Sequence, residues 1–420
     1  MVHSRVLMVA LVALAACEKE TEEPPVVDEG PSVMKDCAPE VGRICPLAGA
    51  GQNGFNGDGK DALETMFSFP MSMTFSSYGP PIVADWNNHK LRRLNDDNTF
   101  TTIMGTGFLG DGDPARADST PAGAVGTAVN LNHPTMQQYW PDGTLLSASW
   151  HTHKLRTWDP DSGMVHVVLG SVPGFAPAEP VDDRGAPVQD TGCLLNQPKS
   201  LEIAPDGKVF INDMRNERIR LWDPVAGTIQ TIAGSGAKGV VGTDCEDGPA
   251  LQTCFNFPKN ANPEPGGAIA ISDDGTTMYI ADSESHVIRK LDLVAGMVST
   301  IAGTPGVAGF TDGANALFSL PTDLKILGNE LIIADADNHA VRSLNLDTGV
   351  VSTIAGNGEP TCPHEGDVAI AVVCDDQFSS GDGGPAVDAQ LYRPFGIDID
   401  LDGNIVVADS YNHRFRVIYR

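Results

Sequence analysis

The chain has 420 residues, with 27 basic against 55 acidic side chains and a formal net charge of −28. A body this negative repels phosphate backbones, which excludes nucleic acid as a partner and favours divalent cations or basic partners. Its 45 glycines and 30 prolines punctuate short apolar or alternating segments, and no helical period of useful length appears.

At the N-terminus, Arg5 precedes an apolar stretch from Val6 to Ala13 that is too short to cross a bilayer, so residues 1–16 read as a cleaved export signal. Leu14-Ala15-Ala16-Cys17 is similar to the lipobox of bacterial lipoproteins. That resemblance implies that Cys17 carries lipid, begins the mature chain and anchors it to a membrane. Glu18 stands where an Asp marks inner-membrane retention in enteric bacteria, which points to the outer membrane. Residues 17–43 are acidic and carry Pro24, Pro25 and Pro31, so they read as a disordered tether.

From residue 44 one phrase returns six times: a short apolar strand ending in Ala-Asp or a variant, a four-residue turn closing on His, then a strand carrying Arg. The copies run from Val83 to Arg92, Ser147 to Arg156, Ile211 to Arg220, Ile280 to Arg289, Ile333 to Arg342 and Val407 to Arg416. Each period leaves room for four short strands, the content of a propeller blade. Five of the arginines are followed by an apolar pair and Gly, as in Ile103-Met104-Gly105, but Arg416 lies four residues from the end. An orphan copy, Leu47-Ala48-Gly49, stands at the front. The N-terminal strand is therefore expected to complete the last blade and close the ring.

The run Ile405 to Arg416, with Gly381-Asp382-Gly383-Gly384-Pro385-Ala386 and Arg393-Pro394-Phe395-Gly396-Ile397 before it, resembles the NHL repeat. The resemblance spans residues 44–420 and implies an all-β fold, a single six-bladed β-propeller of four-stranded blades. It says little about function, because such propellers serve as interaction platforms, ligand binders and occasionally enzymes.

The repeated Asp85, Asp213, Asp282, Asp335 and Asp409 are expected to accept N–H bonds from the turns that follow them. His89, His153, His286, His339 and His413 are expected to donate to carbonyls of their own or a neighbouring blade. Spread around a ring, these groups do not converge on one substrate. Blade three has Glu217 in place of His, which reads as drift. Blade two has Ser149 in place of Asp and gathers His133, His151, His153 and His166. His133, His151 and His153 are the candidate ligands for Zn²⁺. Loops such as Phe55 to Gly59, Phe108 to Asp113, Phe310 to Gly313 and Phe378 to Gly383 share Phe followed by Asp-Gly, a turn signal that also offers a weak Ca²⁺ site. Neither metal is required by the pattern.

Where the first strands meet the central channel, Lys199, Asp323 and Arg393 are the candidate binding residues. Three cysteine pairs are disulfide candidates, Cys37 with Cys45, Cys245 with Cys254 and Cys362 with Cys374, which leaves Cys193 over. The sequence thus predicts a monomeric envelope lipoprotein that binds a protein or glycan through loops on a propeller face, the longest being 175–192, 236–254 and 357–380. A metal-dependent hydrolase or lyase with its site at the channel is the alternative. A Ca²⁺-stabilised structural lipoprotein is a third reading.

Overall fold

The computed structural model describes residues 37–110, 123–170, 186–187, 195–239, 247–258, 266–359 and 381–420. All of them belong to one compact unit, Val33–Arg420. The export signal, Cys17, residues 17–36 of the tether, and Cys193, Cys245, Cys362 and Cys374 lie outside the described residues.

Six antiparallel sheets succeed one another along the chain. Named from the channel outward, blade 1 is Pro70–Ser76, Gly79–Asp85, Lys90–Leu94 and Phe100–Met104. Blade 2 is Pro134–Tyr139, Leu145–Ser149, Lys154–Trp158 and Met164–Gly170. Blade 3 is Pro198–Ile203, Val209–Asp213, Arg218–Asp223 and Thr228–Ala233. Blade 4 is Ile269–Ile271, Thr277–Asp282, Val287–Asp292 and Met297–Gly303. Blade 5 is Pro321–Leu327, Glu330–Asp335, Ala340–Asn345 and Val351–Ala355. In blade 6, Gly396–Ile399, Ile405–Asp409 and Arg414–Ile418 are joined by Ile44–Ala48, with Ile44 opposite Ile418 and Cys45 opposite Val417. A Cys37–Cys45 disulfide ties down the segment that leads into that strand.

Each blade's outer edge is covered by the connection that precedes it. In blades 2, 3 and 4 the cover is a two-residue strand, Ala124–Val125, Ala186–Pro187 and Gly248–Pro249. In blades 1, 5 and 6 it is a single bridge, Asp61 to Thr99, Gly313 to Val351 and Arg43 to Pro385. Unpaired strand edges are templates for aggregation, and this arrangement removes them.

Between the second and third strands of every blade lies one short 3-10 turn, and the residue that ends it sits in the left-handed region. His89, His153, His286, His339 and His413 have φ between 52° and 58°, and Glu217 has φ of 51°. The carbonyl of that residue faces the glycine at the end of the same blade's outer strand. A Cβ at Gly105 would lie 2.1 Å from the His89 oxygen, and one at Gly49 would lie 2.7 Å from the His413 oxygen. No side chain fits at such distances, which is why the apolar pair is followed by Gly. The Gly49 contact also places the orphan N-terminal copy in blade 6.

The six arginines are among the most buried side chains of the molecule, all 0–1% exposed. A buried cation is tolerated only when paired. Arg342 meets Asp335 at 2.6 Å, Arg220 meets Asp213 at 2.7 Å and Arg289 meets Asp282 at 3.0 Å. Arg92 and Arg416 pair with Asp85 and Asp409 at 3.4 and 3.6 Å. In blade 2, where Ser149 replaces the acid, Arg156 donates to Thr152 Oγ1 at 2.9 Å. The other oxygen of each repeated Asp accepts a backbone N–H from the connection that leads into the inner strand of its own blade. Ser68, Asn196, Asn256, Ser319 and Tyr392 are the donors, at 2.7–2.8 Å. The acid therefore ties the second strand to the start of the inner strand, and the turn that follows it is held through side chains, Asn88, Asn216, Asn338 and Asn412 donating to Asp85, Asp213, Asp335 and Asp409 at 2.8–2.9 Å, where the sequence led us to expect backbone N–H donors.

Asp335→Ala is expected to cost about 3–5 kcal/mol of unfolding free energy, because Arg342 stays buried with one counter-ion fewer. The exposed control Asp96→Ala should stay within about 0.5 kcal/mol. Urea denaturation of both variants checks this, and equal, small effects would show that the buried pair is not a stability determinant.

Candidate functional site

Pro134 lies opposite Ser149 and Pro198 opposite Asp213, so the inner strands begin on the face that carries the 3-10 turns. Two positions of each turn shape this face. The first is Trp86, Trp150, Met214, Ser283, Ala336 or Ser410, each buried. Ser283 Oγ donates to the Pro321 carbonyl at 2.6 Å, and Ser410 Oγ donates to that of Pro70 at 2.7 Å. The second position forms the tip, occupied in turn by Asn87, His151, Arg215, Glu284, Asp337 and Tyr411.

The turn-ending histidines, expected to donate to carbonyls, act as acceptors in the bonds that the described residues show. Their Nδ1 atoms accept a backbone N–H from the next blade: Phe69 donates to His413, His133 to His89, Gln197 to His153, Leu320 to His286 and Arg393 to His339, at 3.0–3.4 Å. Those five donors are themselves at positive φ, from 43° to 59°. Strain of about 1 kcal/mol per residue is thus held by one bond per blade junction. At the junction of blades 3 and 4, Glu217 Oε2 accepts from Phe257 N at 3.0 Å. Glu217 therefore supplies the acceptor that His supplies elsewhere, which corrects its reading as drift. Burial pulls His339 and His413 down to about 4, and pulls His286 down as well. A neutral ring with a bare Nδ1 is the form that the bond requires.

The candidate zinc ligands divide. His133 and His151 set their Nδ1 atoms 2.8 Å apart, a distance that needs one donor and one acceptor. Trp86 packs on His133 with centroids 3.9 Å apart, and Trp150 stacks on His151 at 4.5 Å. Burial, aided by His89 and His151, pulls His133 down to about 2. His153 spends its Nδ1 on Gln197, and His166 lies away on the outer strand of blade 2. Among the described residues no three acidic, His or Cys side chains are arranged to hold a metal.

Lys199 and Asp323 meet inside the channel at 3.7 Å, both buried, and Lys199 Nζ donates to the Thr322 carbonyl at 2.9 Å. Lys325 reaches Glu202 at 3.4 Å, and Glu202 accepts from Gln138 at 2.8 Å. Both ion pairs join blade 3 to blade 5 across blade 4, whose inner strand is preceded by Gly266-Gly267-Ala268. Burial lowers Lys199 against the pull of Asp323. Burial also opposes the charge on Lys325, but Glu202, Asp398 and Asp323 outweigh it and lift its pKa. Asp398 is pushed up to about 6 by burial, against Lys325. These groups brace the channel wall.

The Asp-Gly loops turn out to complete the arginine pairs. Asp58 lies 3.6 Å from Arg92, and Asp312 and Asp382 each lie 2.6 Å from Arg342 and Arg416. Asp58 and Asp312 also accept the N–H and hydroxyl of Thr102 and Thr353. Phe55 and Phe310 cover the guanidiniums of Arg92 and Arg342 at 5.0 and 4.9 Å. Asp111, in the loop before blade 2, lies outside the described residues.

Arg393 stays on the face. It pairs with Asp337 at 2.7 Å, donates to the Tyr411 hydroxyl at 3.2 Å and lies 5.3 Å over the Tyr411 ring and 5.5 Å over that of Phe395. Tyr411 in turn contacts Phe69 and Tyr392 edge-on or tilted, with centroids 5.0 Å apart in each case. Phe69, Arg393 and Tyr411 are half-buried, whereas Asp337 and Asn87 are exposed. Sequence reasoning picked Arg393 and missed Phe69, Tyr411, Asp337 and Asn87. The one available signal was an aromatic residue at a turn tip that is polar in the other five blades.

This architecture defines a six-bladed β-propeller. The family model described as the NHL repeat matches residues 391–418, so the chain carries an NHL repeat in its last blade. It is 28% identical over 322 residues to Protein SUPPRESSOR OF QUENCHING 1, chloroplastic, of Arabidopsis thaliana, covering 74% of this chain and 28% of that protein. It is 26% identical over 244 residues to NHL repeat-containing protein 2 of Homo sapiens, covering 53% of this chain and 31% of that one. The chain thus spans less than a third of the length of these relatives. An auxiliary nutrient binding protein from Bacteroides ovatus shares the fold with a TM-score of 0.56 at 14% identity, over 89% of this chain and 75% of that one.

The stabilisation from the His413 acceptor is complete above its ordinary pKa of 6.5 and is lost as the pH falls toward about 4. Burial raises Asp409 and so acts in the opposite sense, but equally in wild type and in His413→Gln, whose amide oxygen accepts without titrating. The stability advantage of wild type over that variant should fall by roughly 2 kcal/mol between about pH 7 and pH 4.5. A pH-independent difference in urea unfolding would show that the acceptor is not a neutral imidazole.

Proposed function

We propose that this protein is a cell-envelope lipoprotein that works as a non-enzymatic binding module through the turn face of its propeller. The observation that carries the reading is the group formed by Phe69, Arg393 and Tyr411. Aromatic and Arg side chains, half-buried and held by ring contacts, are the kind that dominate binding energy. The mature chain is lipid-modified at Cys17 and faces its partner, an envelope protein or glycan, from a membrane anchor, with the outer membrane favoured over the inner. It acts as a monomer, needs no cofactor and does not bind nucleic acid, in keeping with a net charge of −28.

Its likeness to an auxiliary nutrient binding protein and to NHL-repeat proteins supports a binding role. A metal-dependent hydrolase or lyase at the channel has less in its favour, since His133 and His151 engage each other and Lys199 and Asp323 are paired.

Two measurements test this. Cys17→Ala should move the protein from the membrane to the soluble fraction, and unchanged sedimentation would refute the anchor. Sedimentation with envelope fragments of the producing cell should weaken at least about tenfold in Tyr411→Ala. It should not change in Val294→Ser, an exposed position in the turn before the outer strand of blade 4. Equal binding by both variants would sink the turn-face reading.

A further inference from the structure

Resting on that binding reading, we infer that the arc of the turn face from blade 5 through blade 6 to blade 1 is a site for a neutral saccharide. A sugar ring presents an apolar C–H face and, around its rim, hydroxyls that both donate and accept. Its receptor therefore needs an accessible aromatic ring beside planar side chains with paired donors and acceptors. This arc supplies both. The aromatic part is Tyr411, gripped between Phe69 at 5.0 Å and the Arg393 guanidinium at 5.3 Å, so the ring is held without being covered completely. The planar polar part is Arg393 with Asp337, whose side chain is 39% exposed, and Asn87, whose amide donates to Ser68 Oγ at 3.1 Å, next to Phe69.

Charge decides against an ionic ligand. Among the described residues of the turn tips and inner-strand starts on this arc and the adjoining blade 4, Arg393 pairs with Asp337 and Glu284 pairs with Lys238. The histidines behind them, His339 and His413, are held neutral by burial. An anion would have to pull Arg393 from its carboxylate, and a cation would have to do the reverse. A hydroxyl pair can instead add to both partners without breaking the pair.

Shape decides against a large protein partner. A stable protein interface needs about 800 Å² per side with an apolar centre. The tips Asn87, His151, Arg215, Glu284 and Asp337 are polar, and Tyr411 alone among the six is aromatic. A ligand with one apolar face and a polar rim matches that distribution.

The test is isothermal titration calorimetry on the full chain in detergent, with hexamers of glucose, mannose, xylose and N-acetylglucosamine, a sulfated hexamer, and a Trp-containing peptide. At least one neutral hexamer is expected to bind with a Kd in the range of about 10 μM to 1 mM, unchanged by added salt because no counter-ions are released. Tyr411→Ala should weaken it at least about tenfold and Tyr411→Phe less, since the ring remains. Asn87→Ala, at an exposed side chain that does not threaten folding, should weaken it several-fold. Absence of binding by every neutral hexamer, or binding indifferent to both Tyr411→Ala and Asn87→Ala, overturns the saccharide assignment. Tyr411-dependent binding of the peptide alone would overturn it and leave the binding-module reading standing. Indifference of all probes to Tyr411, together with unchanged envelope sedimentation, would remove both.

Discussion

A guanidinium buried in every blade is the constraint around which this ring is organised. Arg92, Arg156, Arg220, Arg289, Arg342 and Arg416 are withdrawn from water, and a cation in that position must find oxygen partners or the blade does not form. In five blades the partner is an Asp at the end of the second strand, and its other oxygen holds the backbone that leads into the inner strand. One side chain pair therefore ties three strands and a loop together. Where a second Asp arrives from the preceding connection, as Asp312 does at Arg342, the outer edge is locked to the same cation. In the described Asp-Gly loops, Asp58, Asp312 and Asp382 are thus engaged by arginine, and the first two by threonine as well.

The second organising device acts between blades. A histidine in the left-handed conformation lends Nδ1 to the first residue of the next blade, and that residue is itself held at positive φ. Neither conformation is favourable alone; each is maintained by the bond that needs both. The role depends on an acceptor at that place, and not on imidazole as such, because Glu217 fills it at one junction. Such a ring leaves the turn tips little influence on the fold, so they are the positions at which residues can be chosen for a ligand. Tyr411 and Asp337 are two such positions.

The channel follows the opposite logic. Its bulky charged groups meet in pairs across the gap left by the small residues that precede the inner strand of blade 4, Lys199 to Asp323 and Lys325 to Glu202. Groups that pair inside a narrow, weakly solvated space contribute to cohesion before they contribute to recognition. The proposed binding role is therefore placed at the face, where Arg393 is half-buried, and not at the channel wall.

Much of the fold was legible in the sequence because a repeat shows the same physical requirement several times. The spacing of Arg92, Arg156, Arg220, Arg289, Arg342 and Arg416 announced six blades, and the glycine of Leu47-Ala48-Gly49 reflects a close approach to a carbonyl that recurs in every copy. The candidate site was less legible. His133 and His151 share one repeat and do meet, but His153, two residues beyond, spends its acceptor on the next blade, a partner 44 residues away. Likewise Arg393 showed as an ionisable residue at the channel mouth, whereas its companions Phe69, Asp337 and Tyr411 come from three different blades, and nothing in the repeated phrase says which of its copies meet. The sequence by itself determined the repeat, the strand pattern and the residues that each blade buries, since these obey local periodicity and the cost of an unpaired charge. Only the tertiary structure decided which carboxylates pair with arginine, which histidines are acceptors and which aromatic residues assemble on the face, because ring closure sets those distances between residues far apart in the chain.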